Sequence, residues 1–394
     1  MYFELSKNKN LDYSKFYQIK NYILSTDLGW KEIQGLHGKI IYKGYADVNL
    51  ENFLKNCYPA NNEMPNGSFT AIMETANTIY IKHDRSRSYP IFIDDDRSKC
   101  TNLTRHKTII WPDTYVFIDC DTDIIKTKYV EYEFEKKQDV SFNETCDSIL
   151  SLLNKNINHF ASNHNMPIKV VPTGGVDSTL LIGLLKHNNL DFEIINYEHK
   201  DWTYFYKKNR LAVSENIGNM LFIKIGHTWG TKPTVLANGW HGDQHFFRDY
   251  LPLAVLCKAK NIDLPGQAQK YKGAYAHQFI LDEMNDRQEQ HEQITKNIID
   301  VSSAYKKIFE IIIASFQCWH FEETIYWSPF KNIEITKSIL QMSDKDIIDN
   351  AFMASVQKKL IEKVDPNLLD VITNQKNFFD QKTFDKFTSI LSQY

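Results

Sequence analysis

The stretch IKVVPTGGVDSTLLIGLL, residues 168 to 185, sets two adjacent glycines, an acid and two hydroxyls between apolar runs of different period. Ile168 to Val171 has the length and β-branching of a short buried strand, and Leu180 to Leu185 has the composition of a buried helix. Between them lie Thr173, Gly174, Gly175, Val176, Asp177, Ser178 and Thr179. Adjacent glycines let successive backbone N–H groups turn into one concavity, and the following helix adds its positive end, so the segment is built as an anion cradle. Ser178 and Thr179 can add hydroxyl donors. Asp177 repels a phosphate unless a divalent cation lies between them, which implies magnesium. The structural alternative is a Gly-Gly turn closed by an Asp/Ser helix cap.

A second segment, NGWHGDQHFFRDY (238 to 250), offers Asn238, Gly239, His241, Gly242, Asp243, Gln244 and His245. A neutral imidazole near pH 7 suits the deprotonation of an amine, so His241 and His245 are candidate bases, with packing or capping as their alternative. Towards the end come SPFKN (328 to 332), VQKKL (356 to 360) and VDPNLLDVITNQKN (364 to 377). Lys376 is on its own an ordinary surface lysine. In 276 to 293 the charges surround a helix, which reads as a solvated face. Trp319 reads as core; Trp327 could be core or could line an acceptor pocket.

These residues need elements to hold them. Before about residue 135 the chain runs through short β-branched and aromatic stretches, among them GKIIYKGYADV, GSFTAIM, NTIYIKHD and TYVFIDC, separated by turn residues. The expectation is a mainly antiparallel β domain with one or two helices, residues 1 to 138. The charged stretch 133 to 144 is the expected linker. From 139 to 394 the pattern is α/β, with a helix on Ile149, Leu150, Leu152, Leu153, Ile157 and Phe160, a strand at 168, and a further parallel strand at 191 to 199. Beyond about residue 255 the apolar period is helical.

With 394 residues, 42% of them hydrophobic, the chain is long enough for two cores. A net charge of −3 supplies no basic field for nucleic acid. No stretch has the length and apolarity of a membrane span, and the start lacks a leader pattern, so a cytoplasmic location is expected. Cys57, Cys100, Cys120, Cys146, Cys257 and Cys318 are scattered without a CxxC pair, as expected of free, mostly buried thiols. Oligomeric state is not encoded in any spacing.

Thr173 to Thr179 resembles the SGGxDS pyrophosphate loop of the N-type ATP pyrophosphatases, with Thr173 for the first serine. The segment 238 to 250 is similar to the SGxGxDELFGGY segment of asparagine synthetases and their relatives, and the C-terminal segments resemble the family's proline-phenylalanine turn, its Lys-containing helix and its terminal lysine run. The resemblance spans residues 145 to 380. It implies ATP and Mg2+, with Thr173, Gly174, Gly175, Asp177, Ser178, Thr179, Gly239 and Gly242 binding the nucleotide. It also implies Asp177 and Asp243 on the metal, and Lys376 on the α-phosphate.

Family members carry a class II glutamine amidotransferase domain in front, and Gly67-Ser68-Phe69 and the stretch from Asp84 to Phe92 resemble pieces of it. The N-terminal nucleophilic cysteine of such domains is absent: Met1 is followed by Tyr2. The resemblance therefore implies no glutaminase activity and a layout similar to β-lactam synthetase and lasso peptide cyclases. The family's acid in the second segment is replaced by Trp240, and its Asp-Glu reads Asp243-Gln244, which speaks against aspartate as substrate. The expected activity is ATP-dependent amide formation from a carboxylate and an amine or ammonia, the latter from a possible separate donor. An ammonia-dependent asparagine synthetase, adenylation on a modified nucleoside and a non-catalytic nucleotide-binding relative are the alternatives.

Overall fold

Gly67–Glu74, GSFTAIME, is buried at every position but the last, as a strand must be when it is covered on both faces. In the computed structural model the described residues are 3–7, 15–26, 29–57, 65–84, 91–93, 100–101, 108–109, 114–129, 140–170, 175–194, 234–239, 242–246, 248 and 324–372. The chain folds as two compact units, the first built mainly on residues up to Glu133 and the second beginning at Phe134.

The strands of the first unit are β1 (Phe3–Ser6), β2 (Lys15–Ile19), β3 (Tyr22–Thr26), β4 (Lys31–Gln34), β5 (Lys39–Ala46), β6 (Gly67–Glu74), β7 (Thr78–His83), β8 (Phe92–Ile93), β9 (Cys100–Thr101), β10 (Thr108–Ile109), β11 (Thr114–Asp119) and β12 (Ile125–Tyr129). They form two six-stranded antiparallel sheets, β10-β8-β9-β1-β3-β2 and β12-β11-β7-β6-β5-β4. Period-two alternation assigns the faces. Ile41, Ile72, Ile81 and Val116 of one sheet share a core with Phe3, Leu5, Tyr22 and Leu24 of the other. On the outer face Phe69, Ala71, Met73 and Tyr115 pack with Leu50 and Leu54 of α1 (Leu50–Cys57). Asp84, just past β7, accepts from Phe69 N at 3.2 Å and donates its own N–H to Phe69 O at 2.9 Å, so the two segments singled out by sequence are clasped together.

The second unit opens with α2 (Phe142–Asn163). The expected linker therefore ends earlier than residue 144. SFNE, part of that charged stretch, is a capping box: Ser141 Oγ accepts from Glu144 N at 3.3 Å, and the Glu144 carboxylate accepts from Ser141 N at 3.2 Å. Cys146, Ile149, Leu153, Ile157 and Phe160 form the buried stripe. A four-stranded sheet follows, ordered β14 (Phe192–Ile194), β13 (Ile168–Val170), β15 (Thr234–Ala237), β16 (Thr324–Trp327). β13 runs parallel to both neighbours. Its crossover to β14 is α3 (Val176–His187). Then come α4 (Gly242–His245), α5 (Ile333–Ile339), α6 (Asp344–Met353), α7 (Ser355–Val364) and a 3-10 turn, Pro366–Val371. The fold is α/β with antiparallel sheets in the N-terminal part. Among the described residues no helix is long and apolar enough to cross a membrane, and Cys100, Cys120 and Cys146 are free, buried thiols.

Candidate functional site

α3 begins at Val176 behind Gly175, whose extended backbone makes it an N-cap with no side-chain bond to the first turn. That leaves the first amides and the positive helix end to the loop in front. The hydroxyls behave differently from the sequence expectation. Ser178 Oγ and Thr179 Oγ1 donate to the carbonyl of Gly175 at 3.1 and 2.9 Å, and Thr179 N reaches the same oxygen at 3.1 Å. Hydroxyls in a first turn bond back to carbonyls three or four residues earlier, and both side chains here are buried. Both hydroxyls are thus turned to the carbonyl of Gly175.

Asp177 stands at the second helical position. The second sequence segment lies directly against it. A β-carbon built on Gly239 would fall 2.8 Å from Ser178 N and 2.9 Å from Asp177 Cβ, and one on Gly242 would fall 2.5 Å from both Cγ and Oδ1 of Asp177. Real β-carbons do not approach so closely, so residues 239 and 242 must be glycine for the loop to close over the end of α3. Gly242 N donates to Gly239 O at 3.2 Å and Phe246 N to Gly242 O at 2.9 Å, which folds the loop into α4.

A third element reaches the same carboxylate. Gln357 of α7, fully buried, donates Nε2 to Asp177 Oδ1 at 2.6 Å. Asn350 of α6 ties α7 to the second segment: its Nδ2 donates to Phe246 O at 2.7 Å and its Oδ1 accepts from Val356 N at 3.0 Å. Between α6 and α7 the chain turns on Ala354, at φ 54°. Lys358, next to Gln357, has its ammonium pKa lowered by burial and by the like charge of Arg248, which belongs to the second segment. Sequence reasoning missed Gln357, Asn350, Arg248 and Lys358 as site neighbours; a polar residue within a helical apolar period was the available signal for the first two.

His245 is removed from base chemistry by its surroundings. Burial, with the positive charge of Lys331 behind it, pushes its pKa down to about 3. Its Nδ1 lies 3.0 Å from Thr336 Oγ1, and that hydroxyl donates to the carbonyl of His245 at 3.3 Å, which makes Nδ1 the proton-bearing nitrogen. The imidazole pins α4 to α5. Trp327 is core, stacked on Phe160 at 4.2 Å between ring centroids. Thr173, Gly174, Trp240, His241 and Lys376, and the side chains of Asp243 and Gln244, lie outside the described residues.

The described residues fit a magnesium-bound polyphosphate in two respects. Asp177 offers a hard carboxylate oxygen, and glycines 239 and 242 keep side chains out of the space beside the start of α3. Among the described residues no group of three or more His, Cys, Asp and Glu gathers as a metal cage.

No family model matches the chain, and no curated protein matches it. Among solved structures, the glutamine phosphoribosylpyrophosphate amidotransferase from B. subtilis complexed with ADP and GMP is similar at 10% identity and a TM-score of 0.21, over 55% of this chain and 61% of that one. A structure described as the allosteric regulatory enzyme of purine biosynthesis is similar at 10% identity and a TM-score of 0.21, over 55% of this chain and 60% of the other. The chain spans about three fifths of the length of both.

Proposed function

We propose that this chain is an ATP-dependent amide-forming ligase of the asparagine synthetase type, with an N-terminal domain of the class II glutamine amidotransferase type. One observation carries the reading: two segments 61 residues apart, counted from Asp177 to Asn238, meet at the start of α3, with Gly239 and Gly242 closed on Asp177. Chance turns have no reason to meet at an acid on a helix N-terminus.

In this reading MgATP supplies an activated phosphorus and a pyrophosphate leaving group. The amides at the start of α3, with Gly174 and Gly175, hold the pyrophosphate end. Asp177 and Asp243 hold the magnesium. Lys376 places a positive charge where negative charge develops at the α-phosphorus. A substrate carboxylate oxygen bonds to that phosphorus as the bond to pyrophosphate breaks; an amine then bonds to the acyl carbon, AMP leaves, and a base takes the amine's proton. His241 remains the candidate for that base, since His245 is buried and tied to Thr336.

The test is ATP–pyrophosphate exchange with magnesium against a panel of carboxylates, from aspartate to small peptides and carboxylated heterocycles. Exchange with one acid, lost in Asp177→Ala and Lys376→Ala, supports the reading and names the substrate. Turnover that survives either substitution sinks it.

A further inference from the structure

We infer that Gln357 is the positioning residue of Asp177, holding its carboxylate in the one orientation from which a divalent cation can be shared with a nucleotide; the role assigned to it rests on the nucleotide reading above. Three features meet at this amide. Gln357 donates to Asp177 Oδ1 at 2.6 Å from the side of α7. Gly242 lies against the same oxygen, where an added β-carbon would sit 2.5 Å away. The side chain of Gln357 is fully buried, and its Oε1 has no hydrogen-bond partner among the described residues.

The last feature is the informative one. An unpaired buried acceptor costs stability. A methionine of similar volume would spare it, so the amide is explained by its donor and by the group that receives it. A neutral donor also has the right charge. A lysine here would cancel the negative charge that a cation needs, and a glutamate would repel it. The amide fixes the rotamer and leaves the charge in place.

The support for Gln357 is itself ordered. Asn350 fastens the first turn of α7 to Phe246 and so to the second segment. Gly183 of α3 admits Val364 of α7, where a β-carbon would lie 2.8 Å from Val364 Cγ2. From Asp177 to Gly183 is six residues and from Gln357 to Val364 seven, or roughly 9 and 10.5 Å of helix rise. The two helices therefore run side by side in the same direction, and contact at one end sets the contact at the other.

The experiment compares wild type, Gln357→Met and Gln357→Asn, the last keeping the amide but one methylene short. ATP binding is measured by calorimetry across a magnesium titration, with Asp177→Ala as reference. Loss of a group that orients a metal ligand costs about 10- to 100-fold in metal affinity. Both Gln357 variants should need at least tenfold more magnesium for half-maximal ATP binding, with little change in the affinity reached at saturating magnesium. In parallel, urea unfolding of the apo protein is measured for Asp177→Asn, Gln357→Met and the pair. Coupling between the two sites, with the double variant less destabilised than the sum of the singles, is expected.

Wild-type magnesium dependence in both Gln357 variants, with ATP binding still lost in Asp177→Ala, overturns the inference and leaves the nucleotide reading standing. Strict additivity in the unfolding cycle overturns it also. If wild type binds MgATP no better than Asp177→Ala does, the nucleotide reading falls and takes the role of Gln357 with it. If Gln357→Met does not fold, Gln357→Asn carries the magnesium titration.

Discussion

Gly183 of α3 and Val364 of α7 approach so closely that a methyl group at position 183 would meet Val364 Cγ2 at 2.8 Å and Leu368 Cδ1 at 3.1 Å. Alanine would favour the helix by about 1 kcal/mol. Val364 is β-branched and cannot swing aside freely, so overpacking at about 1–3 kcal/mol outweighs that gain. Gly183→Ala should lower the urea midpoint. A raised midpoint would mean that α7 is free to shift on α3.

Gly242→Ala tests the meeting of the two segments from the other side. A methyl there collides with Cγ and Oδ1 of Asp177, and the carboxylate must leave its present rotamer and Gln357 with it. ATP–pyrophosphate exchange should fall by about a hundredfold or more, in keeping with the cost of a misplaced reacting group. Wild-type exchange in this variant would show that the placement of Asp177 is not needed.

Asn350 is fully buried and bridges Phe246 O and Val356 N. Asn350→Leu orphans both backbone groups, at about 1–3 kcal/mol each, and should destabilise by about 2–5 kcal/mol in chemical denaturation. Asn350→Asp keeps the acceptor for Val356 N but turns a second oxygen on Phe246 O. If Asp and Leu cost nothing, the bridge is not a structural tie.

On the alkaline side five described thiols and phenols act in one direction, Cys120 among them through burial. Burial pushes the thiols of Cys100 and Cys146 up to about 12. Burial first, and then Asp123 and Glu51 respectively, raise the phenols of Tyr22 and Tyr42. A raised native pKa means that the native state holds its proton where the unfolded state has lost it. The stabilisation is fully present below the unfolded value of 9 for a thiol, and is lost as pH rises towards 12. Each fully shifted group gives a slope of about 1.4 kcal/mol per pH unit in that window. Unfolding free energy should be flat from pH 7 to 8.5 and fall from pH 9 to 11, less steeply in Cys100→Ala. A flat profile to pH 11 would contradict the burial of these groups.

Much of this arrangement is legible in the sequence. Strand-length runs in the first 130 residues, the helical stripe of Ile149, Leu153, Ile157 and Phe160, and the strand before and helix after the glycines at 174 and 175 all follow from local pattern. The proximity of residues 239 and 242 to Asp177 follows only from resemblance, because no local period reports which distant loop faces a helix end. The bonds from the hydroxyls of Ser178 and Thr179 to Gly175 O are not legible in sequence, because a first-turn hydroxyl can turn outward or back to a carbonyl. Gln357 and Asn350 are invisible for the same reason: an amide within VQKKL or DNAFM looks solvated until the partners 180 and 104 residues away are known.

The bond between Gln357 and Asp177 spans 180 residues of chain. At a synthesis rate of about 5–20 residues per second, roughly 10 to 40 seconds separate the emergence of the acid from that of its partner. Through that interval a nascent chain carries Asp177 without its bond from Gln357. The contact between α7 and the acid at the start of α3 is therefore among the last parts of the molecule to form, after the antiparallel sheets ahead of it have had time to close. Binding competence, followed on stalled chains of increasing length, should appear as a late step once α7 has left the ribosome, and not as a gradual gain.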